Sequence, residues 1–539
     1  MATYYVSSVS ENGIPAGSGS GDGSIGNPFL TYNEAFAATT GGDTFILNGA
    51  SAGSPSTYIM GNSDWDATND ERNLQCVIPK CAIVGGSNVA GVYLDRPDNV
   101  TFGDVVIEGQ GGVAAAVRIS GNSTGTSLTA TALEGASAYA LRADSGVTVS
   151  GEWEARGNGG SQAITLDGMG VSQISTFTDG SISGTFSGVA VSLPESVGCI
   201  TTFDGTSINI DQSSAADANR TIFRSRGSEQ TYIQNVIAQW VGAANNSAGI
   251  FQGLISGSPI DSTLTRIIDN SIENTAIPHA KYGIRLGEEG SDGLFASSTD
   301  IICSGNTLTK TDHAFFFGAG VDNAVGSRNN ANDSSIGYLI KQCGSDVGWV
   351  GNIFTNHALD VSSILNLKGV SGAVIANISG SVPTGRTIPV VSIQNGTDSG
   401  ATASTGAQVK NIDITLEGTF GKLIVVDVGN DAGLDIKNNN FNFTSITPDL
   451  EDNSYFTLAG VAKTATEWAN EVDPELTFDG IRVRDGANIG LSGTGVEITG
   501  LANPVTDYNG NEFTNPPSRG AYNLLVDSPT LTTPYSDRT

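Results

Sequence analysis

The sequence predicts an all-β protein built as a single parallel β-helix, a solenoid of stacked coils. Three observations predict this fold class: short apolar segments recur every 22 to 27 residues, a row of asparagines recurs in step with them, and helix-period patterns are nearly absent. Each repeat is too short to bury its own apolar face, so stacking of neighbouring repeats has to close the core.

The first observation is a set of three-residue segments whose apolar ends alternate with period two, as in half-buried strands. The segments are Val92-Tyr93-Leu94, Val117-Arg118-Ile119, Tyr139-Ala140-Leu141, Ile164-Thr165-Leu166, Val191-Ser192-Leu193, Phe315-Phe316-Phe317, Tyr338-Leu339-Ile340, Leu365-Asn366-Leu367 and Val391-Ser392-Ile393. Gly, Asn, Asp and Ser, which favour turns, separate them. Each segment therefore predicts one strand per coil.

The second observation is a row of asparagines at Asn306, Asn329, Asn352 and Asn377. Asparagines stacked at one corner can bond the backbone and the amide of the next coil, which suits an inward turn position. A β-sandwich with evenly spaced strands is the alternative, and it explains the spacing but not two registers in step. The two registers together favour the β-helix.

Both ends of a solenoid need a cover, because the last coil exposes strand edges and core. Thr31 and Glu34 have capping-box spacing directly after Pro28, which predicts a short helix. The run Gly41-Gly42-Asp43 ends that helix, and Thr44-Phe45-Ile46-Leu47 begins a strand.

Segments at both ends also resemble a known superfamily. They are Tyr4-Tyr5-Val6-Ser7, the Gly/Ser loop 17–26, Asn27-Pro28-Phe29, Thr31 to Ala35, Gly42-Asp43-Thr44, Val472-Asp473-Pro474-Glu475-Leu476, Asp507-Tyr508-Asn509-Gly510-Asn511 and Gly520-Ala521-Tyr522. They look like the caps of pectate-lyase-like, right-handed parallel β-helix proteins, most of all phage tailspikes. The resemblance implies an N-terminal cap with a short helix (1–75), β-helix coils (76–445), and C-terminal coils with an irregular closing cap (446–539).

Composition limits the possible partners. Lys and Arg total 25 against 55 Asp and Glu, a net charge of −30, which disfavours nucleic acids and anionic membrane surfaces. No apolar run approaches the roughly 18 residues of a membrane helix. The five cysteines lack zinc spacing, so we expect free thiols, no metal and no cofactor. The start of the chain carries no secretory signal, so we expect folding in a reducing cytosol.

Together with the resemblance to tailspike β-helices, these features predict a bacteriophage virion protein, made in the host cytoplasm and acting outside the cell after release. The tailspike resemblance implies a homotrimer that binds bacterial surface polysaccharide, together with other virion proteins such as an adaptor, baseplate or capsid. Whether it also cleaves glycan stays open. One alternative is a non-enzymatic structural or decorating virion β-helix, and another is a free polysaccharide lyase or hydrolase.

The expected site lies near residues 240–320, where the repeat lengthens to 35 residues between Phe251 and Leu286 and charge is concentrated. Glycoside hydrolysis needs two carboxyl groups, for which Asp269 and Glu273 are the candidates, with Glu288 as substitute. Sugar-binding candidates are Trp240, Arg266, Lys281, Tyr282 and Arg285. β-Elimination would instead use His279, Lys281, Tyr282 and Arg285. The competing interpretation of Glu288 to Asp292 is a solvated loop.

Overall fold

The computed structural model describes residues 2–39, 43–48, 56–59, 73–77, 81–84, 92–95, 102–103, 105–109, 115–120, 127–128, 132–135, 139–144, 146–150, 153–160, 162–166, 170–216, 220–225, 227–242, 247–253, 261–275, 280–287, 297–355, 362–383, 385–396, 402–444, 447–478 and 481–482. The chain forms two compact units. The first comprises residues 1–264 and 270–281, and the second comprises 265–269 and 282–539.

The first unit contains one helix, α1 (Tyr32–Ala38), among its described residues. Its strands are β1 (Thr3–Ser7), β2 (Thr44–Asn48), β3 (Ser56–Ile59), β4 (Asn73–Val77), β5 (Cys81–Val84), β6 (Val92–Asp95), β7 (Phe102–Gly103), β8 (Val105–Gly109), β9 (Ala115–Ser120), β10 (Ser127–Leu128), β11 (Ala132–Gly135), β12 (Tyr139–Ala143), β13 (Thr148–Val149), β14 (Glu154–Gly160), β15 (Gln162–Thr165), β16 (Ile174–Thr178), β17 (Ser181–Phe186), β18 (Val191–Ser192), β19 (Ile200–Asp204), β20 (Ser207–Asp211), β21 (Thr221–Ser225), β22 (Gln230–Gln234), β23 (Ile237–Val241), β24 (Ala248–Gln252) and β26 (Ser271–Asn274).

The second unit contains α2 (Ala465–Glu471). Its strands are β25 (Leu264–Ile268), β27 (Ala280–Leu286), β28 (Ile301–Ser304), β29 (Thr307–Thr309), β30 (Thr311–Phe317), β31 (Ala324–Ser327), β32 (Asn330–Asn332), β33 (Ile336–Lys341), β34 (Val347–Thr355), β35 (Leu365–Lys368), β36 (Val374–Val382), β37 (Val391–Gln394), β38 (Gln408–Lys410), β39 (Asp413–Leu416), β40 (Ile424–Val426), β41 (Asp435–Lys437), β42 (Asn440–Phe443), β43 (Phe456–Leu458), β44 (Val461–Lys463), β45 (Thr477–Phe478) and β46 (Ile481–Arg482). Most residues of β25 and β27 belong to this unit. Among the described residues of both units, no helix is long and apolar enough to span a membrane.

The N-terminal cap agrees with the sequence prediction. The backbone N–H of Glu34 donates to the Thr31 hydroxyl (3.2 Å), and the Glu34 carboxylate accepts from the Thr31 N–H (3.2 Å), which is the predicted capping box. Strand β1 before the helix and strands β2, β4 and β7 after it form a parallel four-stranded sheet. The predicted helix and the strand beginning at Thr44 are therefore confirmed.

The coils of the first unit repeat a three-strand pattern. Strand β16 pairs in parallel with β19, β17 with β20, and β18 with β21, so each strand lies beside the equivalent strand one coil later. The Phe177 and Phe203 rings stack inside at 4.5 Å between centroids. Parallel strands joined by such crossovers turn right-handed. The predicted all-β, right-handed parallel β-helix is confirmed.

Within each unit, the strands that contain the apolar three-residue segments pair in parallel with their equivalents in the neighbouring coils, one strand per coil. The segment Tyr139-Ala140-Leu141 pairs in a different register from the one that the sequence spacing predicts. Val117 pairs with Leu141 and Ile119 with Ala143. The residues equivalent to 117–119 in the next coil are therefore 141–143 rather than 139–141. The shift is two residues, which keeps the same side chains inward because strand alternation has period two.

The asparagine row lies buried in the second unit. The side-chain N–H of Asn306 donates to Asn329 Oδ1 (2.9 Å), and that of Asn329 donates to Asn352 Oδ1 (2.9 Å). The backbone N–H groups of Asn306 and Asn329 donate to the same acceptors. Each amide therefore satisfies buried backbone and side-chain groups of the coil before it.

Asn377 does not continue this row. Its neighbour Ile378 pairs with Asn352, so Asn377 is equivalent to Gly351, one residue earlier in the corner. Asn377 and Gly351 both have left-handed backbone, with φ of 50° and 69°. Asparagine and glycine tolerate that conformation best, which explains why both types occur at the corner.

The C-terminal end contains a helix that the sequence did not predict. The Thr464 hydroxyl and the Glu467 carboxylate form a reciprocal capping box at the start of α2, and the helix buries Trp468. The Trp468 ring stacks on Phe456 at 4.9 Å. Antiparallel pairs β43–β44 and β45–β46 follow the parallel coils. The segments 507–511 and 520–522 named for the closing cap lie outside the described residues.

Candidate functional site

Asp269 lies in the second unit at the corner directly after β25, in left-handed backbone with φ of 53°. Its Oδ1 accepts from Arg328 Nη2 at 3.2 Å, and both side chains are partly exposed. Gly305 lies between them, and a Cβ there would approach Asp269 Oδ1 to 1.8 Å. Asp269 thus forms an ion pair that passes over the glycine of the intervening coil.

Arg266 also forms an ion pair within the second unit. Its Nη2 lies 3.5 Å from Asp300 Oδ1, and its Nη1 donates to the Asp300 carbonyl (2.5 Å) and the Thr265 carbonyl (3.1 Å). Its side chain is 19% exposed. A guanidinium held by three protein oxygens has few donors left for a sugar.

Glu273 lies in the first unit on an exposed sheet surface. We call this surface the Gln239 face and define it as the outward side chains of β17, β20, β23 and β26. Glu273 continues a row of outward side chains, Ser183, Asn209 and Gln239, in which neighbours pair in parallel register. Asn209 and Gln239 are exposed, whereas Glu273 is half-buried. Hydroxyl, amide and carboxylate groups therefore face solvent at successive coils.

Trp240 is buried, so the prediction that it contacts sugar is wrong. Alternation along β23 turns Ala238 and Trp240 inward while Ile237 and Gln239 face outward. The Trp240 ring is 0% exposed, and its indole N–H donates to Gln212 Oε1 at 2.8 Å. The ring is core packing behind the Gln239 face.

Tyr282 is likewise buried, at 1% exposure, so the prediction that it contacts substrate is also wrong. Its ring packs against His313 (5.1 Å) and Phe316 (5.6 Å). The Arg285 guanidinium lies over the Tyr282 ring at 5.0 Å in a cation–π contact. Arg285 itself is half-buried in the second unit.

The remaining predicted residues are each placed within their own unit or lie outside the described residues. Lys281 is half-buried in the first unit, where its backbone N–H donates to Ser247 Oγ (3.0 Å). Glu288 and His279 lie outside the described residues. Asp269 and Glu273 belong to different units, and each is placed within its own. Across the described part of the chain, no three His, Cys, Asp or Glu residues group as metal ligands would.

Sequence inspection missed a second polar surface of the first unit. We call it the Tyr232 face and define it as the outward side chains of β16, β19 and β22. It contains Tyr232 and Asp204, and neither belongs to a motif or a charged run. Period-two alternation in β22 was the available signal, because Thr231 and Ile233 turn inward and leave Tyr232 outward.

Asp473 is a further residue whose role the sequence did not indicate. Its carboxylate is 0% exposed and accepts from the backbone N–H groups of Asn438 (2.6 Å) and Asn439 (3.1 Å) and from the Asn439 amide (2.9 Å). Burial raises the pKa of the Asp473 carboxyl to about 7. It occupies the acceptor position that asparagines fill in earlier coils, which makes it an end cap.

Two solved structures of known proteins are similar to this chain at low sequence identity. No protein-family model and no curated protein matches the sequence. A GH136 lacto-N-biosidase from Eubacterium ramulus is 9% identical with a TM-score of 0.28, covering 88% of this chain and 68% of the other. A double mutant of the tailspike protein of E. coli bacteriophage HK620, in complex with a pentasaccharide, is 14% identical with a TM-score of 0.38, covering 81% and 74%. Values this low assign no ligand or activity to this chain.

Proposed function

We propose that this protein is a polysaccharide-binding β-helix of a bacteriophage virion and that the Gln239 face contacts the glycan. The observation that carries the proposal is the outward row of Ser183, Asn209, Gln239 and Glu273 on successive coils, in which Asn209 and Gln239 are exposed. Hydroxyl and amide groups both donate and accept hydrogen bonds, as sugar hydroxyls do. Neighbouring strands lie about 4.8 Å apart, so the row repeats at a regular short interval.

An exposed aliphatic side chain lies beside this row. Ile237, on the same strand as Gln239, is 66% exposed and pairs with Ser207 and Ser271 on the adjacent strands. An isolated apolar side chain among polar ones offers a contact for the C–H side of a sugar ring. The combination resembles the general form of a ligand site, with apolar contact area and a few polar groups that fix orientation.

The binding test uses the full chain and purified bacterial surface polysaccharides, with affinity measured by calorimetry. The double variant Asn209→Ala/Gln239→Ala removes two exposed amides, and we expect affinity to fall about tenfold. Asn442→Ala, which removes a half-buried outward amide of β42 in the second unit, is the matched control. Absence of any polysaccharide binding by the unchanged protein would favour a purely structural virion β-helix.

Cleavage is tested separately on any polysaccharide that binds. We retain Asp269 and Glu273 as the proposed acid and nucleophile or base, with Glu288 as substitute, and propose that Lys281 and Arg285 assist binding. Loss of a needed general acid lowers the rate roughly 10²–10⁴-fold, so Asp269→Asn and Glu273→Gln should abolish most depolymerisation. Full activity in both variants would exclude these two residues.

The virion assignment and the homotrimer belong to the same proposal. Cys199 and Cys303 are buried free thiols, which suits folding in a reducing host cytoplasm.

Light scattering should give three times the one-chain mass of about 55 kDa, whereas the one-chain mass itself would contradict the trimer. Neighbouring tail or capsid genes would support a virion protein, and neighbouring sugar-transport genes would favour a free lyase or hydrolase.

A further inference from the structure

The Tyr232 face has the chemistry of a sugar subsite. Nine side chains point outward from its three strands: Ile174, Thr176, Thr178, Ile200, Thr202, Asp204, Gln230, Tyr232 and Gln234. The parallel register places Thr176, Thr202 and Tyr232 in one row and Thr178, Asp204 and Gln234 in the next. The nine include one acid, one aromatic ring and no base.

The Asp204 carboxylate is held in a fixed orientation. Its Oδ2 accepts from the Gln234 side-chain amide at 2.9 Å, and its Oδ1 accepts from the Asn235 amide at 2.7 Å. A carboxylate can accept about four hydrogen bonds, so each oxygen retains capacity for another donor. Two sugar hydroxyls on neighbouring carbons are suitable donors for two such oxygens.

The Tyr232 ring is fixed in a similar way. Its hydroxyl donates to Gln230 Oε1 at 3.2 Å, and its side chain is half-buried on the outer face. Behind it, Thr231 and Ile233 are buried in the coil interior. A partly exposed ring that is already immobilised loses little conformational entropy when a flat apolar surface packs on it.

The Tyr232 and Gln239 faces are consecutive in sequence in each coil. Asn235 has left-handed backbone (φ 54°) and forms the corner between β22 and β23, so Gln234 and Ile237 lie on either side of it. A glycan on the Gln239 face can therefore extend across this corner. This continuity links the Tyr232 face to the proposed function.

We propose that the Tyr232 face binds an uncharged pyranose unit, with the sugar ring stacked on Tyr232 and its hydroxyls donating to Asp204. The Asp204 carboxylate, in a chain of net charge −30, disfavours uronate, sialate and sulfate groups. This inference rests on the proposed polysaccharide binding and names the class of sugar selected.

The test compares variants by calorimetry on two probes, a neutral oligosaccharide released from a bound polysaccharide and the same oligosaccharide carrying one uronate. We expect Tyr232→Ala and Asp204→Asn each to weaken neutral-probe binding about tenfold. Tyr232→Phe keeps the ring and should retain most affinity. Asp204→Asn should also reduce the preference for the neutral probe over the uronate probe.

Glu417→Gln, which removes an exposed acid of the second unit, is the control for net charge and should bind like the unchanged protein. Urea midpoints of all variants check that they are folded. Polysaccharide binding that is unchanged in both Tyr232→Ala and Asp204→Asn overturns this inference and leaves the proposed function standing. Absence of all polysaccharide binding by the unchanged protein overturns both.

Discussion

The outer faces of the first unit and the charged corner of the second unit use their polar side chains differently. In the second unit, Arg266 pairs with Asp300 and Asp269 with Arg328, so two of the predicted site residues have charged partners within the protein. In the first unit, Asn209 and Gln239 face solvent at successive coils. The difference teaches that high charge density along the chain marks ion pairing at this corner, whereas the exposed amides of the first unit remain accessible to a ligand.

Substitutions at two neighbouring residues of β23, one inward and one outward, should differ most in their effect on the free energy of unfolding. Trp240→Ala should lower the free energy of unfolding by about 3–5 kcal/mol, since it removes a fully buried ring and leaves a cavity. Gln239→Ala should change it by less than about 0.5 kcal/mol. Urea unfolding measures both, and equal effects would contradict the assignment of inward and outward sides.

The buried asparagine row should tolerate substitution poorly. Asn329→Ala removes the acceptor of the Asn306 backbone and side-chain N–H groups, so the free energy of unfolding should fall by about 1–3 kcal/mol. Asn395→Ala, which removes an exposed asparagine, is the control and should have little effect. Equal urea midpoints for the two variants would show that the row does not stabilise the coils.

The ion pair across Gly305 predicts a coupling between two positions. Gly305→Ala should cost about 1–2 kcal/mol, because alanine disfavours the left-handed φ of 72° and its Cβ meets the Asp269 carboxylate. Asp269→Ala removes the obstacle, so the same glycine substitution should cost less in that background. A double-mutant cycle by urea unfolding checks this, and strictly additive effects would contradict the contact.

Asp473 predicts a smaller, pH-dependent effect at the C-terminal end. Because burial raises the pKa of this carboxyl from 3.8 to about 7, the folded chain retains a proton that the unfolded chain releases. The Asp473 contribution to the free energy of unfolding should therefore decrease as pH rises from 3.8 to about 7. Glu475 and Lys437 also interact electrostatically with the Asp473 carboxyl group.

Asp473→Asn keeps a side-chain oxygen acceptor and removes the titration. Its free energy of unfolding should depend less on pH across this range than that of the unchanged protein. Urea unfolding at several pH values measures the two slopes, and identical slopes would show that Asp473 does not titrate in the range.

The fold was predictable because its signals are local and periodic. Thr31 and Glu34 specify the N-terminal helix start, and the spacing of Asn306, Asn329 and Asn352 specifies one coil per repeat. The one-residue displacement of Asn377 was not predictable, since asparagine suits both the inward position and the left-handed corner position next to it.

The candidate site was predicted less well because a side chain's partners depend on coil register. The pair Asp269–Arg328 joins residues 59 apart in sequence. Period-two alternation along β23 could have placed Trp240 inward beside Ala238, but an aromatic residue near charged neighbours suggested a sugar contact. Tyr232 lies in an uncharged segment without a motif, so its outward position was not predicted.

Hydroxyl-radical footprinting of the full chain with a bound polysaccharide tests the central claim most directly, since it reports which side chains become protected. We expect protection of Tyr232 and Ile237 when the polysaccharide is bound. Protection confined to residues 265–331, with Tyr232 and Ile237 labelled as in the free protein, would contradict it.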